Sequence, residues 1–145
     1  MLKPHLPHMK AAIEIAEKHH TPFGAALAMG DQLFVAAANQ TGQLHDPTAH
    51  AEVMAIRKLG DQIKKTDLSG YTLYTTCEPC PMCMSAAIWA KIDTVFYGCD
   101  IPMISKYMGQ IQMRAGTLAK SGFVETHVKG EIMVNECEEL LKKYS

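Results

Sequence analysis

Cysteine, histidine and glutamate at short, regular spacings are the features of this sequence that indicate chemistry. The stretch TCEPCPMC carries Cys77, Cys80 and Cys83, each three positions from the next, with a proline on either side of Cys80. His50 and Glu52 lie two positions apart in the stretch HAEV. Thiolate sulfur and imidazole nitrogen are common ligands of Zn²⁺ in proteins. These residues therefore form a candidate metal site.

Cys80 and Cys83 are expected in the first turn of a helix. The strand-like stretch YTLYTT runs into two prolines, which are tolerated in a first helical turn, and MCMSAAIWAK then continues as an apolar helix. Residues at i and i+3 share one face of a helix, and the free N–H groups and dipole of a first turn favour thiolate over thiol. Two adjacent thiolates create a binding site for a cation.

A second helix start is predicted in DPTAHAEVMAIRKLG. Asp46 or Thr48 is a suitable N-cap, and Gly60 is a suitable end for this helix. His50 and Glu52 then fall in its opening turn, where both can point at something just beyond the helix end. Separate helix starts are thus expected to supply the histidine and the two cysteines.

Three protein ligands, His50, Cys80 and Cys83, would leave the fourth tetrahedral position of Zn²⁺ for water. That arrangement is typical of a catalytic site and not of a closed structural one. Two thiolates neutralise the charge of the metal, so a nearby carboxylate is needed to take the proton of the water. Glu52 fits this role.

Other roles for the cysteines are also open. A C-x-x-C pair occurs in structural zinc sites and in redox motifs, and a third cysteine at Cys77 is reminiscent of iron–sulfur ligation, although no fourth cysteine has suitable spacing. Cys77 also fits a small buried residue at a strand end. The chain has five cysteines, and an odd number does not fit the paired cysteines of a secreted scaffold held by disulfides.

Strands alternate with helices along the chain. Apolar residues recur at helical spacing between Met9 and Ala16, and GAALAMGDQLFVAAAN predicts a β-hairpin around a Gly-Asp turn. Further strands are predicted at TVFYG and GFVETHV, and further helices around Met103 to Met108 and at NECEELLKKY. This alternation indicates an α/β sandwich, a sheet covered by helices on both faces, and residues 1–145 are expected to form one domain.

Composition excludes a membrane-spanning helix, and charge makes nucleic-acid binding less favoured without excluding it. Hydrophobic residues make up 48% of the chain and charged residues 20%, and the apolar runs are shorter than the ~20 residues of a membrane span. The formal net charge is −1, without the concentrated basic face typical of nucleic-acid binding. The start MLKPHLPHMK lacks the apolar core of a signal peptide, so a cytoplasmic protein is expected.

The sequence resembles the cytidine and guanine deaminase superfamily of zinc-dependent nucleobase deaminases. H-x-E followed by P-C-x-x-C is their signature, here at 50–52 and 79–83. PFGA, Asn39, HDPTAHAEVMAIR, LYTTCEPCPMC and AAIWAKIDTVFYG occur in the order shown by bacterial guanine deaminases and tRNA adenosine deaminases, over roughly residues 10 to 100. The resemblance implies a three-layer α/β/α sandwich with a mixed sheet of about five strands.

The resemblance also implies roles for individual residues. His50, Cys80 and Cys83 would hold Zn²⁺, with Glu52 as the catalytic proton carrier. Substrate contacts are implied for four further residues: the Asn39 side chain, the Ala51 backbone amide, and the Phe23 and Trp89 side chains. The implied reaction is hydrolytic deamination, which replaces the amino group of a cyclic amidine by oxygen and releases ammonia.

A guanine-like free base is the favoured substrate. Guanine deaminases are similar at Trp89, whereas tRNA adenosine deaminases commonly carry histidine there and leucine at the place of Cys77. In KYMGQIQMRAG, however, guanine deaminases tend to carry acidic residues that this chain lacks. Editing of adenosine in tRNA, deamination of a cytosine, isocytosine or aminotriazine, and a zinc-stabilised nucleic-acid-binding module remain alternatives. A homodimer is also expected, because related deaminases commonly pack the metal-bearing helices across such an interface.

Overall fold

The computed structural model describes residues 2–145, which form seven helices and five strands. The helices are α1 Leu6–Lys18, α2 Thr41–Leu44, α3 Ala51–Ile63, α4 Pro81–Trp89, α5 Ile101–Ile104, α6 Ala115–Lys120 and α7 Val134–Tyr144. The strands are β1 Gly24–Met29, β2 Gln32–Ala38, β3 Thr72–Cys77, β4 Thr94–Cys99 and β5 His127–Lys129.

The strands form one mixed sheet in the order β2-β1-β3-β4-β5. β1 pairs antiparallel with β2 and with β3, while β3, β4 and β5 run parallel to one another. The hairpin between β1 and β2 turns at Gly30 and Asp31, and Gly30 adopts the left-handed conformation that glycine reaches without strain. β3, α4 and β4 form a β-α-β unit, which joins parallel strands through a crossover helix.

Alternation along the strands divides the core between two faces of the sheet. Ala25, Leu27 and Leu73 point to the face covered by α3, α4 and α6, and Ala26 and Tyr74 point to the face covered by α1, α5 and α7. Both sets are buried. The expected three-layer α/β/α sandwich with a mixed sheet is therefore confirmed.

The close packing of α1 on the sheet requires a glycine at one position. A Cβ atom at Gly24 would collide with the backbone carbonyl oxygen of Ala12 in α1. The Gly24 N–H donates to the Thr76 hydroxyl, which in turn donates to the carbonyl of Pro22. The start of β1 is thereby fixed beside the end of β3, where the cysteine motif begins.

The bounds predicted for the histidine-bearing helix were wrong at both ends. Asp46 accepts hydrogen bonds from the N–H and hydroxyl of Thr48, at 2.9 and 2.6 Å, so it caps a local turn and α3 begins only at Ala51. The helix also continues past Gly60 and ends at Ile63, where Lys64 adopts the left-handed conformation that closes it.

The last third of the chain also differs from the prediction. α5 lies at Ile101–Ile104 and not around 103–108, because the Asp100 carboxylate accepts the Met103 N–H at 2.9 Å and so caps an earlier turn. Of the strand predicted in GFVETHV, only the last two residues belong to a strand, as the start of β5. Helices α2 and α6 were not predicted. Within residues 2–145, no helix combines the length and apolarity needed to cross a membrane.

Candidate metal centre and active site

Two helix starts position the candidate metal ligands. His50 is the residue immediately before α3 and Cys80 the residue immediately before α4, both with extended backbone. Pro81 occupies the first position of α4, where its missing N–H removes no helical hydrogen bond. The two helices pack on the same face of the sheet, so their N-terminal ends lie together.

The three predicted ligands lie within reach of one ion. The Nδ1 atom of His50 lies 3.7 Å from the Cys80 sulfur and 3.5 Å from the Cys83 sulfur. One ligand atom from each residue falls within 4.8 Å of the others. Cys83 is fully buried, and Cys80 is 6% exposed. The three residues that the sequence motifs predicted as ligands therefore form a compact group in the fold.

These separations fit zinc. Zn–S bonds of about 2.3 Å and Zn–N bonds of about 2.0–2.1 Å at a tetrahedral angle place a sulfur and a nitrogen ligand about 3.6 Å apart. The distances from His50 to the two sulfurs agree with that value. A donor set of two thiolates and one imidazole is also a zinc set by its chemistry. His50, Cys80 and Cys83 would hold the ion and leave a fourth position open.

The cysteine pair already carries negative charge. The hydrogen bond from Cys83 lowers the pKa of Cys80 to about 4, and His50 beside it acts in the same direction. The neighbouring Cys80 sulfur raises the pKa of Cys83, because a proton on Cys83 stabilises the thiolate at Cys80. Hydrogen bonding to Cys80 raises the pKa of His50. A cation bound here would take the place of the protons on Cys83 and His50 and would balance the negative charge of the thiolates.

Glu52 is a buried carboxylate beside the triad. It lies in the first turn of α3, two residues after His50, and is 6% exposed. Burial raises the pKa of Glu52 to about 7, since an ionised carboxylate loses its hydration there, and the negative charge of Cys80 adds to the effect. A carboxyl with such a pKa can both accept and donate a proton near neutral pH.

A cavity of about 260 Å³ opens beside the triad and Glu52. Its walls come from the start of β1, the β2–α2 connection, the starts of α3 and α4, and the segment after α5. The lining residues are Phe23, Asn39, Thr41, His50, Glu52, Cys77, Glu78, Cys80, Met108, Gly109 and Gln110. The candidate ligands, the candidate proton carrier and the space for a small molecule therefore share one site.

The residues implied as substrate contacts are only partly brought together. Asn39 and Phe23 line the cavity, and the Asn39 N–H donates to the Phe23 carbonyl at 3.1 Å. Ala51 lies between His50 and Glu52 with its side chain fully buried, and the role of its amide stays a prediction.

Trp89 is not part of this cavity in the described chain. Its side chain is 74% exposed at the far end of α4 and packs against Phe123, with the ring centroids 5.1 Å apart. Trp89 therefore does not line the cavity of its own chain, and its role as a substrate contact stays a prediction. The reason is that Trp89 lies at the C-terminal end of the helix whose N-terminal end holds the ligands.

Several lining residues were missed from the sequence. Thr41 lies two positions after Asn39, and Glu78 lies two positions before Cys80. The place of Glu78 inside the cysteine motif could have identified it as a site residue. Cys77, expected to be a small buried residue, is buried at the end of β3 but also lines the cavity. Residues 108–110 belong to no motif, and only the fold brings them to the site.

Comparisons with known proteins agree with this geometry. The family model for the cytidine and deoxycytidylate deaminase zinc-binding region matches residues 3–99. A guanine deaminase of Bacillus subtilis (strain 168) is 43% identical over 79 residues, which cover 54% of this chain and about half (51%) of that protein. A tRNA-specific adenosine deaminase of Buchnera aphidicola subsp. Baizongia pistaciae is 31% identical over 140 residues, 94% of this chain and 85% of that protein.

Solved structures of the same two kinds of deaminase also resemble this chain. A guanine deaminase from Nitrosomonas europaea matches with a TM-score of 0.87 at 22% identity, covering 99% of this chain and 86% of that chain, a likeness of fold. A structure from a study of tRNA:A34 deaminases matches with a TM-score of 0.80 at 27% identity, covering 94% of this chain and 99% of that chain.

Replacing any one ligand should abolish tight zinc binding. Loss of a partner that only orients a ligand already costs about 10–100-fold in metal affinity, so His50→Ala, Cys80→Ser and Cys83→Ser are each expected to lose more. Zinc content after dialysis, measured by plasma mass spectrometry, checks this. Cys99→Ala is the control, since it removes a buried thiol outside the triad and should retain zinc. Full zinc content in the ligand variants would contradict the assignment.

Proposed function

Because this chain belongs to the cytidine and deoxycytidylate deaminase family, we propose that it is a zinc-dependent hydrolytic deaminase of an aminated nucleobase or nucleoside, with a guanine-like free base favoured. The observation that carries the proposal is the buried Glu52 carboxyl beside the His-Cys-Cys triad, at the wall of a cavity that suits a small planar molecule. Neither the triad nor the carboxyl alone would distinguish an enzyme from a metal-stabilised binding module.

Glu52 carries the protons of the proposed reaction. Zn²⁺ held by His50, Cys80 and Cys83 would act as a Lewis acid that lowers the pKa of water towards neutrality. Glu52 accepts the proton of the attacking water and delivers it to a ring nitrogen of the substrate, which makes the amidine carbon electrophilic. The oxygen adds to that carbon as a hydroxyl group. Glu52 then takes the remaining hydroxyl proton and passes it to the amino group, so that the C–N bond breaks, ammonia leaves and an oxo product remains.

The size of the cavity supports a free base as substrate. Pockets for drug-sized ligands occupy about 300–1,000 Å³, and this cavity has about 260 Å³. The partly buried Phe23 ring provides an apolar wall for a flat ring. The Asn39 amide donates to the Thr41 hydroxyl at 3.2 Å, which leaves its carbonyl oxygen to accept a ring N–H.

Editing of adenosine in tRNA is the second candidate. It is favoured by the Buchnera relative, which aligns over 94% of this chain, whereas the Bacillus guanine deaminase aligns over 54%. Against it, the formal net charge of −1 gives little general attraction to a phosphate backbone. The two candidates differ in what must enter the cavity, a whole free base or one nucleotide extruded from an RNA loop.

Glu52→Gln should stop deamination while zinc remains bound. The amide keeps the shape of the side chain but cannot carry a proton, so the rate of ammonia release is expected to fall by about 10²–10⁴-fold. A coupled ammonia assay and the zinc content of the same sample check both halves. Glu14→Gln, on the exposed face of α1, is the matched control and should keep full activity. Near-normal turnover by Glu52→Gln would remove Glu52 from the mechanism.

A panel of substrates should separate the two candidate functions. Zinc-replete protein is expected to release ammonia from guanine, and to leave adenosine in an anticodon stem-loop unchanged. Ammonia release from guanine, guanosine, cytosine and adenosine, together with inosine analysis of the stem-loop, provides the measurement. Inosine in the stem-loop without turnover of guanine would favour the tRNA function. Release from none of these substrates would leave the binding-module alternative standing.

A homodimer is proposed from the exposed aromatic pair Trp89 and Phe123. Their side chains are 74% and 59% exposed, although large apolar residues gain most from burial. A second copy of the chain is the expected partner, packed against this end of α4. A cytoplasmic location also stays a proposal, supported by five free cysteines in the described chain, as in compartments that keep thiols reduced.

Light scattering should report particles of twice the 16.0 kDa chain mass. Trp89→Lys places a charge in the proposed interface and is expected to shift the population to single chains, because burying an unpaired ammonium is costly. Leu33→Lys is the control, as Leu33 is an exposed apolar residue on β2, away from α4. Particles of one chain mass in the unmodified protein would refute the dimer.

A further inference from the structure

Glu78 is a buried carboxylate, 2% exposed, two positions before the candidate ligand Cys80. Its Oε1 atom accepts a hydrogen bond from the backbone N–H of Ile101 at 2.8 Å, and its Oε2 atom accepts one from the backbone N–H of Ala115 at 2.7 Å. The Arg114 Nε lies 3.0 Å from both oxygens. One carboxylate thus binds two distant backbone sites and a guanidinium.

These two backbone sites bracket a wall of the cavity. Ile101 is the first residue of α5 and Ala115 the first residue of α6, and residues 105–114 between the two helices have no regular secondary structure. Met108, Gly109 and Gln110 of this segment line the cavity. Because Glu78 also lies only two positions before Cys80 in the motif, the same residue links this wall to the ligand triad.

Arg114 is the accessible half of this contact. Its side chain is 46% exposed, and its Nη2 donates to the Tyr97 hydroxyl at 3.3 Å. Hydrogen bonding to Glu78 raises the pKa of the guanidinium, which therefore stays charged. A buried carboxylate needs such a partner, because an ionised group without water or a counter-charge is strongly disfavoured. Replacing Arg114 weakens the contact from the surface without opening the core.

Other contacts hold the middle of the segment. The Tyr107 hydroxyl donates to Glu138 of α7 at 2.8 Å, and the Gln112 amide donates to the Ser105 hydroxyl at 2.9 Å. Loss of Arg114 is therefore expected to loosen residues 105–113 without unfolding the segment as a whole.

We propose that Glu78 and Arg114 are positioning residues that hold residues 105–113 at a fixed distance from the triad, and thereby set the affinity for substrate while Glu52 carries out the proton transfers. The inference rests on the proposed deaminase function, since it assigns the wall of that same site. Arg114 itself does not line the cavity, so its effect is transmitted through the segment.

Arg114→Gln in the full, zinc-loaded chain tests this. Backbone amides within 105–113 are expected to exchange with deuterium faster than in the unmodified protein, while amides of β3 and β4 keep their exchange rates. KM for the base most rapidly deaminated in the panel above should rise roughly tenfold with kcat within about twofold, as expected when substrate binding and not the chemical step is impaired. Zinc content should not change.

Two further variants complete the experiment. Arg114→Lys keeps the charge but loses the planar fork, and is expected to restore KM and exchange only in part. Arg57→Gln is the matched control, because Arg57 is the other arginine of the chain and pairs with Asp46 at 3.6 Å outside the segment. It should behave as the unmodified protein does.

Unchanged exchange within 105–113 in Arg114→Gln would overturn the inference, as would faster exchange with an unchanged KM or a fall in kcat alone. Failure of the proposed function looks different, since no base would be deaminated even by the unmodified protein. In that case the exchange rates still decide whether Glu78 and Arg114 hold the segment.

Discussion

The meeting of two helix N-termini is the constraint on which the rest of this structure depends. His50 and Cys80 each stand immediately before a helix, and their side chains come within 3.7 Å of one another. Free N–H groups and the helix dipoles make this point electropositive, which favours thiolate sulfur over thiol. The core under α3 and α4 holds these helices on one face of the sheet, so packing far from the ligands determines their separation.

Two buried carboxylates beside this point have opposite environments. Glu78 receives two backbone N–H groups and an arginine, and hydrogen bonds to a charged group contribute about 1.5–3 kcal/mol each. Such an environment suits a side chain that connects parts of the fold. Burial instead raises the pKa of Glu52 to about 7, which suits a group that must gain and lose a proton. Both residues are buried glutamates, and they differ in their hydrogen-bond partners.

Local patterns in the sequence predicted the helices and strand that carry the ligands. They did not predict helix bounds and side-chain positions that depend on tertiary contacts. The turn at Gly30 and the passage from β3 through Pro81 into α4 follow from backbone chemistry, which a sequence displays directly. The start of α3 was predicted too early, because Asp46 accepts the N–H of Thr48 in a local turn and does not cap the helix. The exposed position of Trp89 at the far end of α4 was also not predicted, since a resemblance in sequence does not show which side chains of a helix face the cavity.

Residues 108–110 form a wall of the cavity that no sequence motif marks. A guanine deaminase structure and a structure from a study of tRNA:A34 deaminases both match this fold over most of the chain, so the fold alone does not determine the base. The family match ends at residue 99, before this wall begins. This wall faces the cavity together with Phe23 and Asn39 of the matched region, and a segment without regular secondary structure needs an anchor to keep its place there. Glu78 lies inside the matched region and Arg114 outside it, so their contact joins the cysteine motif to this wall of the cavity.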